Sequence, residues 1–334
     1  MKAWVLNRPG PVESHPLILD ELPTPKPGRG EVLIKISACG VCHTDLHTVE
    51  GEIIPPAYPI TPGHQVVGRV AEAGDGVSAI KSGDRVGVAW LFGACGVCPH
   101  CASGRENLCD KAVFTGFHKN GGYAEYMTAP ETSAFHLPER FDDIHAAPLL
   151  CAGIIGYRAL KVCGIRRGGR LGLFGFGASA HLTIQAAIGM GAEVYAFSRS
   201  DDHRQHALEL GAVWAGSAQD TPSAPLDAAI SFAPSGALVP LALEKLAKGG
   251  TLALAGIYLD AIPAMDYEKH IFHEKVLRSV TAFTREDARE FLQLADTANI
   301  KTDVEEYRFE EANEALLRLK ESRIKGAAVL RISE

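Results

Sequence analysis

The sequence has 334 residues, 46% of them hydrophobic and 22% charged, with a formal net charge of −7. That composition excludes a disordered chain, and an acidic balance with no basic stripe excludes a nucleic-acid footprint or attraction to anionic lipid. The length exceeds what one hydrophobic core usually organises, so two domains are expected.

In chain order, the opening Met1-Lys-Ala-Trp-Val-Leu6 soon meets Pro9-Gly10-Pro11, and it lacks the continuous apolar stretch of a signal peptide. No apolar run approaches the roughly 18 residues that a bilayer crossing needs. A cytoplasmic protein is expected. Its eight cysteines then point to metal or redox use rather than to a disulfide framework.

The first half alternates Gly and Pro with short β-rich pieces, Glu31 to Ile36, Val66 to Val70 and Asp84 to Val88, which predicts an irregular β-barrel. From Arg170 the rhythm changes to apolar runs (Leu171 to Phe174, Val194 to Phe197, Ala228 to Phe232, Thr251 to Ala255) separated by helical stretches. That alternation predicts a parallel sheet with crossover helices. An amphipathic helix over Glu310 to Lys320 and a strand over Ala327 to Ile332 follow, and periodicity alone does not say which domain they join.

Between these halves lies Cys95-x2-Cys98-x2-Cys101-x7-Cys109, in a segment containing Gly93, Gly96, Pro99 and Gly104. Turns at Gly and Pro let the four thiolates converge on one tetrahedral centre with no position left for water, the pattern of a closed structural zinc. The competing reading is a cluster of buried or redox-active thiols. Such a centre carries excess negative charge, and Arg105 is a candidate to balance it.

Outside that loop, Cys42 lies in Gly40-Val-Cys-His-Thr-Asp45, His64 in Pro62-Gly-His-Gln-Val-Val-Gly68, and Cys151 in Leu149-Leu-Cys-Ala-Gly-Ile-Ile-Gly-Tyr157. Singly, each is more often a packed core residue than a ligand. Together and in this order, over nearly the whole chain, these motifs resemble the zinc-dependent alcohol dehydrogenases of the medium-chain dehydrogenase family, with greatest likeness to the bacterial propanol-preferring type.

The resemblance implies a GroES-like catalytic domain over 1–152 and 285–334, with a zinc lobe near 93–110, and a Rossmann cofactor-binding domain over 153–284. It implies two zinc ions per chain, catalytic at Cys42, His64 and Cys151 and structural at Cys95, Cys98, Cys101 and Cys109. Two thiolates and a neutral imidazole leave a fourth position open to an alcohol oxygen. Thr44 and His47 fall on the family's proton relay, in which Thr44 takes the alcohol proton and passes it through the cofactor ribose to His47. Asp45 is expected to support a zinc ligand, His43 to contact the cofactor pyrophosphate, Ile257 to lie at the cofactor, and Trp90 to narrow the substrate pocket. Cys39 and Cys163 are expected to be packing residues.

Leu171-Gly-Leu-Phe-Gly175-Phe-Gly177-Ala178-Ser-Ala180 reads as a strand running into a glycine-rich turn and a helix from about Ala178 to Met190. In that setting, backbone N–H groups and the helix dipole face a pyrophosphate. The next strand ends at Ser198-Arg199, where an NAD enzyme usually carries a carboxylate. A hydroxyl beside a guanidinium suits a 2′-phosphate, so NADP(H) is favoured over NAD(H).

The chain departs from the family's pattern at Gln65, where many relatives have Glu, at Ala327, where several have Arg, and at Ile155, where some have Thr. These changes predict altered rates with the reaction intact: reversible hydride transfer between a primary or simple alcohol and NAD(P)+. A zinc-free quinone or enal reductase on the same fold predicts loss of the metal ligands. A non-catalytic NADPH- or zinc-binding regulatory protein has no need of Thr44 and His47. A homodimer or homotetramer is implied, with pairing through the edge of the nucleotide-domain sheet.

Overall fold

A computed structural model describes residues 1–333. They form two compact units: Met1–Cys151, Thr284–Asp296 and the described residues from Lys301 onward make the first, and Ala152–Phe283 with Thr297–Ile300 the second.

The first unit is built on a seven-stranded sheet. Its strand order is Val304–Arg308, Ala327–Arg331, Glu31–Val41, Gln65–Ala73, Arg85–Val88 and Ala134–His136, and Tyr126–Pro130 also pairs with Glu31–Val41. Every pair is antiparallel except Val304–Arg308 with Ala327–Arg331. The central strand Glu31–Val41 is buried along most of its length rather than on alternate residues, as a strand covered on both faces must be. Irregularities at Leu33/Ile34 and Ile36/Ala38 bend it, which lets a sheet curl toward a barrel. Leu6, Ile34, Ile36, Val66, Tyr123 and Met127 fill the core of this unit.

The C-terminal elements belong here. Ala312, Ala315 and Leu316 are buried on one side of the helix Ala312–Lys320, the spacing of an apolar stripe. The strand Ala327–Arg331 then places Ala328 opposite Val41 and Leu330 opposite Cys39. Pairing across the whole length of the chain has no signature in local periodicity.

One stretch departs from the expectation about apolar runs. Asp143–Cys163 is long and apolar enough, by length and composition, to cross a bilayer. It is interrupted by a 3-10 turn at Ala147–Leu150 containing Pro148, and 67% of its most apolar window is buried inside the protein, so it serves as core.

The second unit is a six-stranded, all-parallel sheet in the order Trp214–Gly216, Glu193–Phe197, Arg170–Phe174, Leu226–Ser231, Leu246–Leu254, Val276–Ser279. Numbered along the chain this is 3-2-1-4-5-6, the doubly wound arrangement that binds dinucleotides where the strand order reverses. Arg170–Phe174 is buried along nearly its whole length, as a parallel strand covered by helices requires. Phe174 stacks on Phe197 at a centroid separation of 4.2 Å and an interplanar angle of 3°.

Candidate metal and cofactor sites

In the first unit, the strand Glu31–Val41 delivers the chain into helix α1 (His43–Glu50) with Cys42 as its N-cap. The Thr44 N–H donates to Cys42 Sγ at 3.3 Å, and the Cys42 N–H donates to Asp45 Oδ2 at 3.0 Å. A sulfur at a helix N-terminus meets the positive end of the helix dipole, which favours thiolate. His64 enters from a turn at Gly63, whose φ is +95°. A Cβ on Gly63 would fall 2.8 Å from the Tyr123 amide nitrogen and 2.9 Å from Cys39 Sγ, so only glycine fits there. Cys151 follows the buried 3-10 turn Ala147–Leu150. Upstream, Arg85 fixes that segment through Asp143 at 2.6 Å and the carbonyls of Phe141 and Pro138 at 2.7 and 3.3 Å.

These three approaches converge. His64 Nε2 lies 3.2 Å from Cys42 Sγ and 3.3 Å from Cys151 Sγ, and all three donor atoms lie within 4.8 Å of one another. A hydrogen bond from Cys151 holds the Cys42 thiol well below its usual range, opposed by burial and helped by His64, while the same bond and burial push Cys151 well above. Two half-buried thiolates cannot stand this close without a cation, and sulfur and imidazole donors in a group of three are the set zinc prefers. The residues fit such an ion.

Asp45 organises the centre from behind. Its Oδ1 accepts from the Gly63 N–H and from His64 Nδ1, both at 3.0 Å. With Nδ1 protonated toward the carboxylate, Nε2 is the nitrogen left to bind metal. Burial works against His64 ionisation, but Asp45, then Cys42, raise its pKa well above the ordinary histidine value.

Thr44 and His47 lie on the same helix as the Cys42 cap. The Thr44 carbonyl accepts from Thr48 Oγ1 at 2.7 Å. His47 is buried and its Nδ1 contacts Glu52 Oε2. His43, one turn earlier, has its ring centroid 6.1 Å from that of His47, and burial lowers its pKa. Glu52 is a neighbour that sequence reasoning does not single out, because it lies beyond the end of α1 and helical spacing does not reach it.

Trp90 stands against the centre. Its ring meets His64 edge-on at 5.1 Å, stacks on Phe114 at 4.9 Å and leans on Phe117 at 5.8 Å. Gln65 is buried with its side chain packed over Gly40, where a Cβ would fall 2.7 Å from Gln65 Cδ. Ala327 is buried within its strand, opposite Val304, so no phosphate-binding side chain projects from that position.

The cysteine lobe springs from a two-stranded ribbon, Leu91–Gly93 with Val113–Phe114. Cys95, Cys98, Cys101 and Cys109 place their sulfurs within 4.8 Å of one another. Backbone donors point at them: Cys98 N–H to Cys95 Sγ and Cys101 N–H to Cys98 Sγ at 3.4 Å, and Lys111 N–H to Cys109 Sγ at 3.3 Å. The Arg105 guanidinium donates instead to Ser103 Oγ at 3.2 Å, so backbone amides take the charge-balancing place expected for Arg105. The N–H groups of Val97 and Cys98 bring Cys95 down to about 6, whereas burial lifts Cys101 to about 12. Four thiols this close do not all ionise alone, and a divalent cation fits them.

In the second unit, Gly175 ends the strand Arg170–Phe174 with φ +87°, and Gly177 caps helix α2 (Ala178–Gly189). A Cβ on Gly175 would fall 3.2 Å from Ala233, just past the Leu226–Ser231 strand, while one on Gly177 would meet nothing within 4 Å. The first glycine serves close packing, and the second opens space before the exposed N–H groups of α2, which opens at Ala178, as pyrophosphate binding requires. Ser198 is buried at the end of Glu193–Phe197 and Arg199 beside it is exposed. Helix α3 (Asp201–Glu209) contributes Arg204, which donates to the carbonyls of Ser198 and Arg199 at 2.8 and 3.2 Å. Ile257 lies in the loop after Leu246–Leu254 and is exposed.

Comparison with known proteins gives two family matches, an alcohol dehydrogenase GroES-like domain over residues 28–139 and a zinc-binding dehydrogenase domain over 178–297. A probable alcohol dehydrogenase, AdhA, of Mycobacterium tuberculosis is 49% identical, across 99% of this chain and 97% of that protein. Among solved structures, the cobalt- and zinc-bound thermostable alcohol dehydrogenase of Pyrobaculum aerophilum superposes with a TM-score of 0.91 at 28% identity, covering 99% of both chains. The Helicobacter pylori protein titled CAD, complexed with NADP(H), has a TM-score of 0.87 at 27% identity, again over 99% of both.

Proposed function

Because this chain belongs to the zinc-binding alcohol dehydrogenases, whose reaction is oxidoreduction between an alcohol and NAD(P), we propose that its own substrates are primary or simple alcohols and their aldehydes, with NADP(H) as coenzyme. The single observation that carries the reading is the convergence of Cys42 Sγ, His64 Nε2 and Cys151 Sγ.

Zinc held by these three residues supplies Lewis acidity, which makes an alcohol easier to deprotonate. The protein does the rest. Asp45 holds the His64 tautomer. Thr44 receives the alcohol proton and His47 carries it toward solvent, so hydride can leave as the proton departs. Trp90 narrows the space beside His64 and favours small or unbranched alcohols. The α2 N-terminus takes the coenzyme pyrophosphate, and Ser198 with Arg199 and Arg204 accommodates a 2′-phosphate that a carboxylate would repel. A second zinc in the four-cysteine lobe is structural. The protein assembles as a homodimer or homotetramer.

Metal analysis and an activity panel test this together. Two zinc ions per chain, with turnover of ethanol or propanol and higher kcat/KM for NADP(H), are expected. No turnover on any alcohol or aldehyde despite full zinc would leave only a binding role, and absence of zinc would point to a metal-free reductase.

A further inference from the structure

We propose that Glu52 is a positioning residue for the proton relay, its carboxylate holding His47 as the Nδ1–H tautomer and giving the departing proton a solvent-facing outlet. The inference rests on the reading of His47 as the relay's last imidazole.

The backbone builds this pair. Helix α1 ends in Gly51, at φ +81°, and the N–H groups of Gly51, Glu52 and Ile53 all turn back to the His47 carbonyl, the last two at 2.9 and 3.3 Å. Gly51 is packed against Pro9, where a Cβ would fall 2.8 Å from the proline Cβ. The hairpin-like return lays the Glu52 side chain over the ring five residues earlier, and Oε2 contacts Nδ1. The two side chains differ in solvation: His47 is 8% exposed and Glu52 40%. A buried ring capped by a wet carboxylate is a route from inside to outside.

The other charged groups around α1 are engaged elsewhere. Asp45 accepts from Cys42, Gly63 and His64. Glu50 and, from the turn Val12–Ser14, Glu13 both accept from Lys320 Nζ of the helix Ala312–Lys320, at 2.7 and 2.8 Å. His43 is a further titratable neighbour, and burial favours its neutral form. Glu52 is therefore the carboxylate placed to set the tautomer of His47.

A carboxylate only accepts hydrogen bonds, so the neutral ring must carry its proton on Nδ1, leaving Nε2 as the basic nitrogen. Glu52→Gln keeps the shape but replaces an acceptor-only carboxylate with an amide that can also donate, so the Nδ1–H tautomer is no longer enforced. Fixing the wrong tautomer removes much of what a general base contributes, a factor of roughly 100 or more at a fully buried site; with Glu52 partly wet, a loss of about 10-fold in kcat is expected.

The test uses zinc-loaded protein with Glu52→Gln, Glu52→Asp and His47→Asn. Nitrogen-15 NMR of the resting enzyme reads the His47 tautomer without turnover, and Nδ1–H is expected in the native protein, with Nε2–H gaining population in Glu52→Gln. In kinetics, Glu52→Gln should lower kcat about 10-fold with the alcohol KM unchanged. Glu52→Asp should restore the Nδ1–H tautomer and most of kcat. In the His47→Asn background, Glu52→Gln should have no further effect. An unchanged tautomer and kcat in Glu52→Gln, with His47→Asn impaired, overturns the role of Glu52 and leaves the relay standing. Full activity in His47→Asn overturns the relay itself, and the NMR result then reports on the tautomer alone.

Discussion

Asp45 Oδ1 and His64 Nδ1 are 3.0 Å apart, and both side chains are buried. The same carboxylate also holds the Cys42 and Gly63 amides, so one side chain fixes two of the three converging donors. Asp45→Asn preserves shape but no longer supplies a charged acceptor to His64. Metal affinity at this site should fall by about 10- to 100-fold, measured by competition with a fluorescent zinc chelator. Affinity within twofold of native would assign the orientation of His64 to packing alone.

Val97, at the tip of the four-cysteine lobe, is 86% exposed. Chelation, or Cys98→Ser, should lower Tm by about 5 °C or more, the equivalent of roughly 2 kcal/mol in a protein of this size, and expose residues 95–109 to proteolysis. Scanning calorimetry with limited proteolysis reads both. An unaltered Tm after the lobe is stripped would argue for idle thiols.

At the end of the strand Glu193–Phe197, Ser198 stands where a ribose-binding carboxylate is usual in NAD enzymes. Ser198→Asp should shift the NADP(H)-to-NAD(H) ratio of kcat/KM toward NAD(H) by at least about tenfold, or about 1.4 kcal/mol. Steady-state kinetics with both coenzymes checks it, and an unmoved ratio would separate this position from the 2′-phosphate.

Trp90 is held from two sides, stacked on Phe114 and edge-on to His64. Trp90→Leu removes the wall without introducing a polar group. The efficiency for benzyl alcohol or a bulky secondary alcohol relative to ethanol should rise about tenfold, the scale on which pocket volume discriminates. A ratio that stays flat would place Trp90 in the core and not in the pocket.

How much of this is legible in the sequence depends on locality. The grouping of Cys95, Cys98, Cys101 and Cys109 is readable because all four fall within one loop with glycines at the turns. The meeting of Cys42, His64 and Cys151 is not readable from spacing, since three separate elements deliver them, and only the family likeness brings them together on paper. The parallel sheet announces itself through buried apolar runs, but the strand Leu246–Leu254 begins well before Thr251. Its first half contains Lys248-Gly249-Gly250, with Gly249 at φ +75°, and looks like a turn. Arg105 is the obvious cation beside four thiolates, yet backbone amides reach the sulfurs first. Glu52 escapes because its contact with His47 arises from a left-handed glycine reversing the chain, which no periodicity encodes.

The strand Ala327–Arg331 lies directly beside Glu31–Val41, the strand that runs into Cys42. During synthesis those partners are separated by the whole coenzyme-binding unit, which is translated between them. The dinucleotide unit is contiguous apart from a few residues and can form on the nascent chain, but the sheet behind Cys42 stays one neighbour short until residues 327–331 have left the ribosome. The Cys42 end of Glu31–Val41 therefore keeps an unpaired edge until that last neighbour arrives.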